Sequence, residues 1–322
     1  METAQAPFLT ELADSVPGAR AFWVQASDGL RLRIAHYPGP ETARGTVLIF
    51  PGRTEYVEKY GRVAAGLADR GFHSIAIDWR GQGMADRMLE NALTGHVDRF
   101  ADYQRDVEAA LALVDQLDLP GPRFLFGHSM GGCIGLRSLM NGLDVGAAAF
   151  TGPMWGIRIG AAVRPAAWAL GWGSRRIGLG HLFAPGTGSD SYVARSPFED
   201  NLLTRDREMW DYMQRQVDAD PRFHLGGPSL TWVLEALGEC RDLSRRPSPD
   251  LPCLTWIGAN ERIVDTHRVH DRMAAWPKGK LEVVENGEHE LLMEGPVIRN
   301  RILDAACALF SQEDGARTAL SA

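Results

Sequence analysis

The sequence predicts an α/β fold: a mostly parallel sheet with helices on both faces and a helical segment inserted late in the chain. Three observations carry this. Short apolar runs alternate with helical stretches through the first half of the chain, the order of parallel strands joined by crossover helices. One strand-to-helix junction, Gly127-His128-Ser129-Met130-Gly131, has the G-x-S-x-G pattern of a sharp turn that lifts a serine out of a sheet. The alternation stops from about Met154 to Leu243 and then resumes.

Taken in order, Phe22–Ala26 and Leu30–His36 are strands joined at Ser27-Asp28-Gly29, a hairpin turn signal. Gly45–Phe50 is a buried strand by its apolar run, and Val57–Arg70 is helical, closed by Gly71. Phe72–Asp78 is the next strand. Phe100–Leu117 is a long helix stopped by Leu119-Pro120-Gly121. Pro122–Phe126 is the strand before the serine, and Cys133–Met140 has helical spacing after it. Gly146–Thr151 closes this run of strands. The interruption is rich in Gly, Trp and Arg at first and helical over Asn201–Val217, and the proline-rich Arg241–Pro252 segment leads back. Pro252–Gly258, Thr266–Ala275, Leu281–Glu285 and Glu290–Phe310 restore the strand-helix order. Residues 1–153 and 244–322 are therefore expected to form one core, and residues 154–243 an inserted cap.

Composition narrows the class. The chain has 322 residues, 45% hydrophobic and 23% charged, with a net charge of −7. These are values of an ordinary globular protein without the basic footprint of a nucleic-acid partner. Cys133, Cys240, Cys253 and Cys307 are scattered, with no C-x-x-C pair, so neither a disulfide framework nor a zinc site is expected. The first residues lack the basic and apolar regions of a signal peptide. A cytoplasmic protein is the expectation.

The chemistry centres on Ser129. The small residues Gly127 and Gly131 allow the tight turn, and the helix beginning there aims unpaired N–H groups and its positive end at the serine. A nucleophilic serine needs a base, and the base needs an orienting acid. With such an elbow, acid and histidine follow in that order along the chain. Gly258–Asp265 places carboxylates on the loop after one late strand, and Asn286–Glu290 places His289 on the loop after another. Both loops belong at the same carboxyl edge of the sheet as the elbow. Glu261 is the preferred acid and Asp265 the alternative, since Asp265 also suits the cap of the helix that follows. The other histidines read as packed or surface residues, and His128 points away from the serine and shapes the turn. An oxyanion hole needs two backbone N–H groups. Met130 supplies one, and Arg53, on the Pro51–Glu55 loop, supplies the other. Pro51 has no N–H to give.

These segments resemble the lysophospholipase and monoacylglycerol lipase branch of the α/β-hydrolases. The resemblance rests on P-G-R-T-E-Y (Pro51–Tyr56), D-W-R-G-Q-G (Asp78–Gly83), G-H-S-M-G-G (Gly127–Gly132), G-A-N-E-R-I-V-D (Gly258–Asp265), G-E-H-E-L-L-M-E (Gly287–Glu294) and L-G-G-P-S-L-T-W (Leu225–Trp232). It spans roughly Phe22 to Phe310. It implies an eight-stranded sheet with a cap after the sixth strand, and Ser129, Glu261 and His289 as triad. It also implies that D-W-R-G-Q-G braces the oxyanion loop, and that no metal or organic cofactor takes part. Two departures stand out: Pro51-Gly52 replaces the usual His-Gly pair, and the acid is Glu where Asp is commoner.

The implied activity is hydrolysis of lipid-like carboxylic esters, of lysophospholipid or monoacylglycerol type, through an acyl-serine. The alternatives are a hydrolase or acyltransferase on an amide, lactone or thioester, and a non-catalytic binding protein of the same fold. Trp155, Trp168, Trp172 and Trp210 in the cap, with Met154, Ile157, Ile159, Leu170 and Phe183, are candidates to hold an acyl chain. Arg158, Arg164, Arg175 and Arg176 among them make the cap a candidate for transient contact with anionic lipid heads.

Overall fold

In a computed structural model, which describes residues 4–160, 162 and 164–321, nine strands form a single sheet. They are β1 (Gln5–Ala6), β2 (Arg20–Gln25), β3 (Arg31–Tyr37), β4 (Thr46–Phe50), β5 (His73–Asp78), β6 (Arg123–His128), β7 (Ala148–Thr151), β8 (Cys253–Gly258) and β9 (Gly279–Val284). The order across the sheet is β1-β2-β3-β5-β4-β6-β7-β8-β9. Pairing is antiparallel from β1 to β5 and parallel from β5 to β9. The expected eight strands are β2 to β9. The ninth, β1, has two residues, too few to carry a period, and is held by its pairing with Phe22 and Ala21 of β2.

The helices are α1 (Thr10–Ala13), α2 (Gly61–Asp69), α3 (Tyr103–Gln116), α4 (Ser129–Met140), α5 (Arg164–Arg176), α6 (Tyr192–Arg195), α7 (Arg207–Ala219), α8 (Leu230–Leu243), α9 (Thr266–Ala274) and α10 (Pro296–Ser321). Period-two alternation sends strand residues to opposite faces. Leu48 and Phe50 of β4 join Ile134 of α4 and Trp232 of α8 on one face, and Val47 and Ile49 join Leu67 of α2 and Leu303 of α10 on the other. Each fully buried large apolar side chain in these layers contributes about 1.5–3 kcal/mol.

Three elements differ from expectation. The Glu290–Phe310 helix begins only at Pro296, after a separate short turn over Leu291–Met293 and then Gly295 with φ of +87°. The other two lie between β7 and β8. The Asn201–Val217 helix begins only at Arg207, because the Asn201 side chain folds residues 201–204 into a turn through bonds to Phe198 O, Thr204 O, Leu203 N and Thr204 N. Asp206 Oδ1 then caps α7 by accepting from Met209 N at 2.9 Å. Helix α8 runs into the segment expected as a return linker. Ser229 caps its start, and Arg137 of α4 holds its last turns through Glu239 and Asp242.

Parallel register aligns the strand ends that matter. Phe50 lies opposite Gly127, His128 opposite Thr151, and Thr151 opposite Trp256. The loops after β4, β6, β7, β8 and β9 therefore leave from one carboxyl edge, where open α/β sheets hold their ligands.

Candidate active site

Ser129 is the first residue of α4 and has φ of +49°. For a residue with a Cβ this left-handed conformation costs roughly 1–3 kcal/mol. Its surroundings impose it: α4 begins so close to β4 that a Cβ at Gly131 would overlap the carbonyls of Phe50 and Pro51. The serine is nearly buried yet opens onto a cavity.

His289 Nε2 lies 2.9 Å from Ser129 Oγ, and its Nδ1 lies 2.6 Å from Glu261 Oε2. Nδ1 thus donates to the carboxylate and leaves the Nε2 lone pair for the serine proton. Glu261 Oε1 accepts from the backbone N–H groups of Ile263 (2.7 Å) and Val264 (3.1 Å). Burial pushes the Glu261 carboxyl up, but the His289 ring and these two N–H groups outweigh it and hold it below the usual carboxylate range. The His289 loop is pinned from the segment between β7 and β8, as His289 N and Glu290 N donate to the carbonyls of Leu202 and Leu203. Asp265 stands apart: its carboxylate faces Arg164 at 3.5 Å, and its backbone N–H bonds Gly156 O. It occupies the N-cap position of α9 without a side-chain capping bond.

The loop after β4 is fixed from below. Trp79 Nε1 donates to Pro51 O (2.9 Å), and Gln82 Nε2 donates to Gly52 O (2.8 Å) and Glu55 O (3.1 Å). Gly52 N–H is taken by the Glu55 carboxylate. In a trans peptide C=O and the next N–H point opposite ways. Holding Gly52 O toward Gln82 therefore turns Arg53 N–H away from it, on a residue that lines the cavity with Ser129. By the same argument Met154 N–H on Ser129 O (2.9 Å) orients Met130 N–H. The D-W-R-G-Q-G segment does brace this loop.

Beneath the site lies an ion cluster that sequence reading missed. Lys59 Nζ bonds Glu55 (2.6 Å) and Glu290 (2.7 Å), and His128 Nε2 faces Glu290 at 3.3 Å. His128 Nδ1 donates to Thr151 O at 2.9 Å. Burial lowers the His128 imidazole, but Glu290 and Glu55 outweigh it and raise it. The Glu290 carboxyl is held well below the usual range by Lys59 and His128 despite burial. Glu55, His128 and Glu290 bring ligand atoms within 4.8 Å of one another, but the Lys59 ammonium already holds both carboxylates, and a metal ion would have to displace it. His128, expected to point away from the serine, lines the same cavity as Ser129, with its ring centroid 4.9 Å from that of His289.

The cavity has a volume of about 280 Å³ and a largely apolar wall that includes Val193, Leu203, Met213, Val217 and Trp232. None of the four tryptophans expected here lines it. Trp155 is buried with its indole N–H on Gly132 O, and Trp210 packs against Tyr192 and Phe198. Trp172 is exposed under Arg176, and Trp168 lines a smaller cavity beside α9 with Trp155. Trp232 takes the place by the cavity because α8, capped by Ser229, turns it inward. The Leu225–Trp232 motif was its only sequence signal.

Fold and site define a class, and comparison bears on it directly. Residues 41–296 match the family described as Serine aminopeptidase, S33, and the chain belongs to that family of α/β-hydrolases. It is similar to lysophospholipase L2 of Escherichia coli (strain K12), at 34% identity over 282 residues covering 83% of this chain and 81% of that one. To the probable lysophospholipase L2 of Haemophilus influenzae it is 28% identical over 303 residues, 91% of this chain and 93% of that one. A solved structure of Saccharomyces cerevisiae monoglyceride lipase with a substrate analog superposes with a TM-score of 0.70 at 18% identity, over 90% of this chain and 94% of that one. At that identity the likeness concerns the fold.

Proposed function

We propose that this protein is a serine ester hydrolase that removes the acyl chain of lysophospholipids and related monoacyl esters. The observation that carries the reading is the unbroken hydrogen-bonded line from Ser129 through His289 to Glu261 at the edge of an apolar cavity. The similarity to lysophospholipase L2 supports the substrate class.

Ser129 Oγ attacks the ester carbonyl as its proton passes to His289 Nε2. Glu261 keeps the ring oriented and stabilises the imidazolium. The N–H groups of Arg53 and Met130 hold the tetrahedral oxyanion, each such donor worth about 2.7–4 kcal/mol of barrier. The carbon–oxygen bond to the glycerol breaks, and His289 returns the proton to the departing alcohol. Water, deprotonated by His289, then attacks the acyl-serine, releasing the fatty acid and restoring Ser129.

Aminopeptidase chemistry fits less well. Such an enzyme needs an acidic group for the substrate's terminal ammonium. The two glutamates lining the cavity, Glu55 and Glu290, are both bound by Lys59.

Residues 154–243 act as a cap in this reading, contributing Val193, Leu203, Met213, Val217 and Trp232 to the cavity. Part of that cap serves as a membrane-contact surface. Leu170, Trp172, Ile177, Leu179 and Leu182 are exposed along α5 and the turn after it, with Arg176 stacked on Trp172. Arg158, Arg164 and Arg175 are instead engaged by Glu261 O, Asp265 and Glu235. Among the described residues no helix is long and apolar enough to cross a membrane, and the four cysteines are buried and free. We place the protein in the cytoplasm, meeting the bilayer from its surface.

The test is release of fatty acid from a 1-acyl lysophospholipid and from a monoacylglycerol. The wild type hydrolyses them, and Ser129→Ala loses about 10⁶-fold in kcat with its fold intact by circular dichroism. Undiminished turnover in pure Ser129→Ala protein refutes the mechanism.

A further inference from the structure

The side chain of Arg53 has a part in the site that its backbone does not explain. The fold pairs its most deeply buried cations with acids. Arg33 is paired with Asp78 and Glu58, Arg80 with Asp106 and Asp28, and Lys59 with Glu55 and Glu290. Where it buries an arginine without an acid, it supplies several other acceptors. Arg87 donates to the carbonyls of Gly81, Gly83 and Arg222, and Arg272 to those of Leu243 and Arg246 and to Ser248 Oγ.

Arg53 has neither. Among the described residues no carboxylate lies within ion-pair distance of it. Its Nη2 donates to one carbonyl, Gly226 O, at 2.7 Å, and its guanidinium sits 5.3 Å from the centroid of the Trp232 ring. Its Nε is buried without a partner. Burial lowers its pKa only to about 10, so it is a cation at neutral pH. The residue lines the cavity that holds Ser129 and His289. A partly buried guanidinium with no countercharge and an unmet buried donor is unfavourable, and an anion arriving in the cavity would relieve it. A guanidinium edge matches the paired oxygens of a phosphate.

We propose that the Arg53 side chain binds the phosphate of the substrate while the N–H of the same residue holds the ester oxyanion. This rests on the ester-hydrolase reading and adds the chemistry of the head group to it. A lysophospholipid carries phosphate and scissile ester on one glycerol, so one residue gripping both sets the register of the ester against Ser129. A monoacylglycerol lacks the phosphate and leaves the guanidinium unmet. The ligand is the glyceryl phosphate itself, whatever alcohol it carries, so choline and glycerol head groups are expected to behave alike.

Two measurements on the full chain test this. In the first, kcat/KM is compared for lysophosphatidylglycerol, lysophosphatidylcholine and monoacylglycerol of one acyl chain in nonionic micelles. The preference for the two phosphorylated esters over monoacylglycerol falls by about tenfold or more in Arg53→Met, mainly through KM, and Arg53→Lys restores part of it. An equal fractional loss on all three esters overturns the proposal and leaves Arg53 as a clip on Gly226, and so does an unchanged ratio. In the second, glycerol 3-phosphate and inorganic phosphate are titrated calorimetrically into Ser129→Ala protein, where turnover plays no part. Glycerol 3-phosphate binds, and adding Arg53→Met weakens it by about tenfold or more. No binding, equal binding by the Arg53→Met form, or inorganic phosphate binding as tightly as glycerol 3-phosphate overturns it. A wild type inactive on every ester, the neutral one included, counts instead against the hydrolase reading, and the titration then decides the phosphate site alone.

Discussion

Glu261 and Asp265 lie on the same loop after β8, yet one bonds His289 and the other faces Arg164. The choice was open in the sequence because both are carboxylates on the right loop. It is closed by a local turn, in which Ile263 and Val264 N–H groups seize one oxygen of Glu261 and aim the other at the imidazole. Replacing Glu261 by Gln therefore lowers kcat by about 10⁴-fold, whereas Asp265→Asn costs less than about tenfold, as expected for an exchange away from the reacting atoms; steady-state kinetics on a short p-nitrophenyl ester reads both. The ionised residues also set a pH window. The depressed carboxyls of Glu261 and Glu290 contribute stability that is complete above their ordinary value of 4.5 and is lost as pH falls through their lower folded values. His128 is raised above its ordinary 6.5, so its contribution is complete below that value and is lost as pH rises through the folded one. Thermal melts between acid and alkaline pH should show wild type losing stability on the alkaline side relative to neutral pH, and His128→Gln losing less there. Identical alkaline slopes would mean that His128 is not the group responsible. None of this cluster was legible beforehand: Lys59 and Glu290 are separated by 231 residues in sequence, and no motif links them.

At the scale of elements, the reaction geometry comes from one close approach. The first turn of α4 rests on the end of β4, so the loops carrying Ser129 and Arg53 are held side by side. A methyl group at Gly131 would collide with Phe50 O and Pro51 O. Gly131→Ala should therefore destabilise the fold by about 1–3 kcal/mol or more and lower kcat further than stability explains. Denaturant unfolding followed in parallel with kinetics measures both effects, and unchanged values would show that the two loops move apart freely. The strands and the elbow were readable in the sequence because apolar runs and turn residues act locally. The start of α7 was misplaced and α8, which runs into the expected return linker, was not anticipated, because they depend on the Asn201 turn and on Arg137, a residue of another helix. The tryptophans misled for a related reason. Their positions in the chain placed them near the site, but which way each indole turns is decided by partners such as Gly132 O for Trp155, and only Trp232 turns to the cavity.

Among the described residues the molecule combines an apolar cavity, an arginine without a countercharge that lines it with Ser129, and an exposed apolar ridge between β7 and β8. On the proposed function these features serve a substrate with a charged head and a single acyl chain, drawn from a lipid surface. Ile177 is 71% exposed, and it and Leu182 lie outside the cavity wall. Ile177→Asp with Leu182→Asp should reduce cosedimentation with anionic vesicles and turnover of vesicle-borne lysophospholipid, while soluble-ester turnover persists; undiminished vesicle binding would remove the ridge from the account. The most direct test is of the nucleophile itself. Brief exposure of the pure protein to a fluorophosphonate, followed by peptide mass spectrometry, should find one adduct on Ser129, none in Ser129→Ala, and slow labelling in Glu261→Gln. An adduct on another serine, or an active wild type that takes none at Ser129, would contradict the acyl-serine mechanism.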